Sequence, residues 1–261
     1  MSIKESITSK LKTISDNTPL VYEAGKAVGR KEGEKAEYDR FWDAYQNGGT
    51  PRQYHYSFAG YGWTDETFRP KHDIVMIKGS NINAFQYCEV TDLAKSLSDC
   101  GVCLDTSQAT VLTAAFAYAK TATLPVIDIT SAKNAVGNLF LSCKNLERIE
   151  KLIVAEANTF SKVFDGCEKL KHLVIEGVIA GDMDLHGSPL SKASILSVIG
   201  ALSKETDENG DYVVSGKTLT LSQAAVDAAF ESAEGAGDGS LTEAWFFAQL
   251  GPSDNWTITL E

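Results

Sequence analysis

Four short segments of the chain are written in one phase: Phe85-Gln-Tyr-Cys88, Phe116-Ala-Tyr-Ala119, Phe140-Leu-Ser-Cys143 and Phe164-Asp-Gly-Cys167. The last three begin 24 residues apart, and the first gap is 31. Self-similarity at a fixed period constrains a fold more than composition does, because each unit exposes apolar edges that only the next unit can cover. Leu146, Ile149 and Leu152 follow Phe140 at offsets six, nine and twelve, and Leu170, Leu173 and Ile175 follow Phe164 at six, nine and eleven. Each unit reads as a short helical turn carrying Phe and Cys, then a loop, then a strand, with the four phenylalanines as rungs of one stacked ladder. Cys88, Cys143 and Cys167 share a slot that Ala119 fills in the second unit. A slot that accepts Cys or Ala asks for a small buried apolar group, not a nucleophile or a ligand.

On such strands side chains alternate between core and solvent. In the two best-formed units the outward positions include Arg148, Glu150, Lys171, His172 and Val174. These are the candidate partner-binding residues, and the competing reading is that they solvate the sheet.

The F-x-x-C-x-x-L-x-x-[LI] pattern of the Phe140 and Phe164 units resembles the BspA-like leucine-rich repeats of bacterial surface and phage-associated proteins. The Phe116 unit departs from it, with Pro125 where an aliphatic residue is expected, and the Phe85 unit matches only at its start. The stretch NTPLVYEAGKAVGRKEGEKAEYDRFWDAYQNGG is similar to the N-terminal regions of prophage-encoded repeat proteins from gut bacteria. The resemblance covers about half of the chain. It implies a right-handed α/β solenoid used for adhesion or recognition, with no catalytic residue to carry over.

Around this centre the chain divides into residues 1–52, 53–79, 80–190 and 191–261. In the first region Ile3, Ile7, Leu11 and Ile14 form one apolar stripe of a helix. After Pro19 a second helical stretch over 20–46 contains Gly25, Gly29 and Gly33, four apart. These glycines suit either close helix association or a hinged connector. A stripe that cannot be buried alone predicts homo-oligomerisation through residues 1–46. The 53–79 connector is rich in Gly, Pro and aromatics. Its Tyr54, Tyr56, Tyr61 and Trp63 are either a sugar-stacking surface or the packing that holds a loop down. The last region predicts a helix over Ser191–Leu202, a polar turn over Glu205–Asp211, a strand over Lys217–Leu221 and a helix from Ser222 through Ala233. A further helix over Leu241–Leu250 and a closing strand WTITL follow, together forming an α/β cap.

Charge narrows the partners. Residues 204–261 carry two Lys/Arg against eleven Asp/Glu within a net charge of −11, which argues against a phosphate backbone as ligand. No run of about 18 apolar residues predicts membrane insertion. The opening MSIKESITSKLKTISDN lacks the apolar core of a secretory signal. The expected location is cytoplasmic on synthesis, with a virion as one destination.

Catalytic and metal motifs fail on inspection. Ser215-Gly216-Lys217-Thr218 ends like a phosphate-binding loop, but Asp211 stands where the earlier glycine belongs and a strand follows. Cys100 and Cys103 form a lone C-x-x-C whose default is two small buried residues. Asp182, Asp184 and His186 alternate in an extended segment without the later Glu of a calcium loop, and read as a solvated loop. His55, His72 and His172 have no sequence neighbours that suggest a triad.

The expectation is therefore a short leucine-rich-repeat solenoid with an N-terminal helical region and an α/β C-terminal cap, with no cofactor, metal or catalytic residue. It is read as a non-enzymatic structural or recognition protein, virion-associated or adhesin-like, binding a protein or a host-surface glycan. The alternative is a carbohydrate-binding module using the Tyr54–Trp63 aromatics.

Overall fold

The computed structural model describes residues 63–70, 73–76, 78, 81–156, 158–230 and 255–261. The helices expected within 1–46 and over Leu241–Leu250, and most of the aromatic connector, lie outside the described residues.

In chain order the elements are β1 (Ile74–Val75), α1 (Leu93–Cys100), β2 (Leu104–Asp105), β3 (Thr123–Asp128), β4 (Arg148–Val154), β5 (His172–Gly177), β6 (Met183–Leu185), α2 (Lys192–Ala201), β7 (Lys217–Leu221), α3 (Gln223–Phe230) and β8 (Trp256–Leu260). The strands form three separate sheets, β1-β2, β3-β4-β5 and β6-β7-β8, and every pairing is parallel.

The four phenylalanines lie on one another. Centroid separations are 5.2 Å from Phe85 to Phe116, 5.8 Å from Phe116 to Phe140 and 5.6 Å from Phe140 to Phe164. Phe68 meets Phe85 edge-on at 6.5 Å, and Trp63 meets Phe68 at 6.2 Å. Two rings that share no sequence phase with the other rungs thus extend the column.

The segments carrying these rings are not helical. Left-handed φ recurs in pairs four residues apart: Asn83 and Tyr87, Ala114 and Tyr118, Asn138 and Ser142, Lys162 and Gly166. Such residues break the right-handed hydrogen-bond series. Alternate N–H groups go to different places. Those of Ala84, Gln86 and Cys88 close turns onto the carbonyls of Asn81, Asn83 and Phe85 (3.3, 3.0 and 3.0 Å). Those of Asn83, Phe85 and Tyr87 cross to Thr113, Ala115 and Ala117 of the next unit (3.2, 2.6 and 3.0 Å). The expected helical turn is corrected to a run of β-turns in which every second amide bonds the neighbouring unit.

The cysteine slot sits inside this arrangement. Cys143 Sγ donates to the carbonyl of Phe116 at 3.0 Å, and Cys167 Sγ to that of Phe140 at 3.2 Å. Burial pushes the Cys88 and Cys167 thiols up to about 12, and that of Cys143 well above its ordinary value. All three are neutral packing groups, and the thiols of Cys143 and Cys167 also hold a carbonyl.

Leu124 and Ile127 of β3, Ile149 and Leu152 of β4, and Leu173 and Ile175 of β5 are buried in the same core as the ladder. The β4–β5 register shifts between Ile149 and Leu152, where β4 carries an extra residue. This bulge is why Leu152 stands twelve residues after Phe140 while Ile175 stands eleven after Phe164. Pro125 is tolerated because Leu124 and Ile127, on either side of it, supply the core contacts.

The leucine-rich-repeat solenoid expected from sequence is corrected. A solenoid of that class needs one continuous sheet with a strand from each unit, and here the sheet is interrupted twice by side chains standing in for backbone. At one border the Thr106 hydroxyl exchanges both bonds with the backbone of Asp128 (2.8 and 2.7 Å) in place of a longer β2. At the other, helix α2 lies along β5. The hydroxyls of Ser194 and Ser197 accept the N–H groups of Leu173 and Ile175, each at 2.9 Å. No strand follows β5 there, and β6 pairs instead with β7. The long first gap has its own cause: α1 is inserted into it, capped by Asp92 and ended by Gly101 at φ 67°.

Beyond β5, the helix expected over Ser191–Leu202 is found as α2, with Ser191 as its cap. The strand Lys217–Leu221 and the closing strand WTITL are β7 and β8. Ser222 Oγ accepts the N–H of Ala225 at the start of α3, at 3.4 Å.

Candidate functional site

The outer face of β3-β4-β5 collects the partner-binding candidates. Arg148, Glu150 and Lys171 are exposed, while His172 and Val174 are half-buried. Parallel pairing places Arg148 directly beside His172, with Thr123 on its other side. Burial, and then the positive charge of Arg148, hold the His172 imidazole below its ordinary 6.5, against an opposite pull from Glu150. Three of the five candidates therefore share one electrostatic neighbourhood.

Sequence alternation missed the other members of this face. The β4 bulge turns Lys151 outward, where it pairs with Glu176 of β5 at 2.6 Å. Lys151 also stands opposite Val126, whose side chain is 40 % exposed. The unequal offsets of Leu152 and Ile175 are the signal that could have located the bulge. The completed face sets cations and acids beside the exposed Val126 and the half-buried Val174 over a buried inner layer, an arrangement that could contact a folded surface only through its mixed rim.

The aromatic alternative resolves differently. Trp63 is half-buried, packed edge-on against Phe68, and its carbonyl accepts the N–H of Glu89 at 3.0 Å. Among the described residues it is the last ring of the column. Tyr54, Tyr56 and Tyr61 lie outside the described residues, as do His55 and His72.

Asp182, Asp184 and His186 do not act together. Asp182 Oδ1 takes the N–H of Thr218 at 2.8 Å. Asp184 Oδ1 lies 2.7 Å from His186 Nδ1, and this contact raises the imidazole above its ordinary 6.5. Asp184 and His186 line a cavity of about 190 Å³ that also touches Lys162, Asp165 and Gly166. Among the described residues, no cluster of His, Cys, Asp and Glu could hold a metal ion. Cys100 ends α1 half-buried, and Cys103 is exposed, so the expected pair of small buried residues is corrected. Cys103 is exposed because its amide, held by Asp73 Oδ1 at 2.8 Å, is anchored where its side chain faces away from the core. Lys217 and Thr218 lie in β7, not at a helix start.

Comparison with known proteins adds no relative: no family model matches the chain, and neither a curated protein nor a solved structure is significantly similar to it.

Proposed function

We propose that the chain is a non-enzymatic recognition protein that offers the outer face of β3-β4-β5 to a macromolecular partner, as a virion-associated or adhesin-like component. The observation that supports it is the row of mixed side chains on that face: Arg148, Glu150, Lys151, Lys171 and Glu176 beside Val126 and Val174. All but Lys171, which immediately precedes β5, project from strands whose other side is buried, so little backbone freedom is lost when a partner docks. Charges of both signs at the rim give register and encounter rate, and the exposed Val126 with the half-buried Val174 gives contact area.

The test uses the full chain labelled at Cys103 and a panel of gut-bacterial strains read by flow cytometry. At least one strain retains the protein, and the Arg148→Glu/Lys171→Glu double variant loses tenfold or more of that retention at unchanged thermal stability. Equal retention of the variant, or retention by no strain, refutes the reading.

A further inference from the structure

The turn positions 87, 118, 142 and 166 descend in register. The N–H of Tyr87 donates to Ala117, that of Tyr118 to Leu141 and that of Ser142 to Asp165, at 3.0, 2.8 and 2.7 Å. All four have left-handed φ, between 54° and 75°. A side chain at each position therefore stands over the next. The upper two are tyrosines, stacked at 4.9 Å with 12° between their planes. The lower two are Ser142 and Gly166, and a Cβ on Gly166 would come within 3.0 Å of Ser142 Cα. The aromatic stack stops abruptly: one face of Tyr118 is covered by Tyr87, and the other overlooks a step. Tyr118 is 40 % exposed although Phe116, Ala117 and Ala119 around it are buried. A left-handed φ is one that side chains rarely adopt, and here it carries an aromatic ring that is only partly covered.

Past the step, Gly166 forms part of the wall of the 190 Å³ cavity. The ladder rises 5.8 and 5.6 Å per rung here, so the cavity lies two rungs from the Tyr118 ring. Its polar lining is Lys162, Asp165, Asp184 and His186. Asp184 Oδ1 is occupied by the backbone and ring nitrogens of His186, at 3.0 and 2.7 Å. Asp184 Oδ2, His186 Nε2, the Asp165 carboxylate and the Lys162 ammonium remain as donors and acceptors for a ligand.

We infer that Tyr118 and this cavity form a carbohydrate-binding site for an oligosaccharide of at least two sugars. One sugar lays its C–H face on the open side of the Tyr118 ring above Ser142. The next reaches the cavity, where its hydroxyls meet Asp165, Asp184, His186 and Lys162. The chemistry selects the class. A pyranose has an apolar face and a rim of groups that both donate and accept, and the site has an aromatic face followed by groups of both kinds. A protein partner would want an uncharged pocket for an anchoring apolar side chain, and four of the seven residues lining this cavity, Lys162, Asp165, Asp184 and His186, carry charged or titratable groups. A nucleic acid would want excess cations, and the cavity has two carboxylates to one lysine. The site shares no residue with the outer face of β3-β4-β5, so either reading can fail alone.

The experiment presents the full chain to a printed array of di- to tetrasaccharides of glucose, galactose, mannose and N-acetylglucosamine. Retained sugars are followed by saturation-transfer NMR. At least one binds; Tyr118→Ala weakens it tenfold or more, Tyr118→Phe keeps it within threefold, and Asp184→Asn weakens it severalfold, while Arg148→Glu leaves it unchanged. Asp184→Asn decides the matter if Tyr118→Ala does not fold. The inference is overturned if no oligosaccharide is retained. It is also overturned if Tyr118→Ala binds like the unaltered chain, or if Asp184→Asn does so while the alanine variant is unfolded.

Discussion

Phe140 is the rung on which the ladder can be tested most sharply. Its side chain is fully buried, with Phe116 at 5.8 Å on one side and Phe164 at 5.6 Å on the other. Phe140→Ala removes the transfer free energy of the ring and leaves a cavity between two aromatic neighbours, a loss of about 3–5 kcal/mol. Each ring pair carries about 0.5–1.5 kcal/mol beyond its buried area. Phe140→Leu keeps most of the volume but forfeits both pairs, and costs about 1–3 kcal/mol. Against a total stability of about 5–15 kcal/mol, the alanine variant stands close to unfolding and the leucine variant remains measurable. Urea titration followed by circular dichroism gives both values, with an unchanged dependence on denaturant. The decisive measurement is a pair of double-mutant cycles. Phe116→Leu with Phe140→Leu removes one shared contact and shows a coupling of about 0.5–1.5 kcal/mol, whereas Phe85→Leu with Phe140→Leu, one rung further apart, adds to within about 0.5 kcal/mol. Equal coupling in both cycles, or a cost below about 1 kcal/mol for Phe140→Ala, would refute the stacked-ring account.

Three further outcomes follow from the same geometry. Ser194→Ala leaves the buried N–H of Leu173 without its acceptor, costs about 1–3 kcal/mol, and speeds hydrogen exchange at that amide, whereas Ser191→Ala costs only the cap, about 1 kcal/mol. With a thiol reagent at pH 8, Cys103 reacts fast and Cys100 slowly, while Cys88, Cys143 and Cys167 react only on unfolding because burial holds them as thiols; labelling of these three in the folded chain would count against the packed slot. In an NMR titration His186 has a midpoint above 6.5 and His172 one below it, and Asp184→Asn lowers the first while Arg148→Ala raises the second. The signs for stability are opposite. The His186 contribution is complete below 6.5 and is lost as pH rises through its raised folded value, whereas that of His172 is present above 6.5 and is lost as pH falls through its lowered one. Midpoints in the reverse order would contradict both assignments.

Spacing alone determined the ladder and its slot. Phe85, Phe116, Phe140 and Phe164 recur in one phase, and only a small residue fits behind each ring, so the slot holds Cys in three units and Ala in one. Residues that act within their own segment were equally legible: Ser191 capping α2, and the alternating strand Lys217–Leu221. What involves two distant segments was not. Ser194 reads as one more serine near a helix start, and only its place against β5 turns its hydroxyl into the acceptor that ends the sheet. Thr106 does the same for Asp128, and these two substitutions of side chain for backbone separate the observed sheets from the continuous one the period suggested. Phe68 and Trp63 join the column from outside its phase, and the tyrosine stack ends at Tyr118 because the next two units carry Ser142 and Gly166. A periodic pattern encodes which faces are apolar. It does not encode which neighbour satisfies an edge amide or covers a ring, because those depend on residues tens of positions away that the fold alone brings within bonding distance.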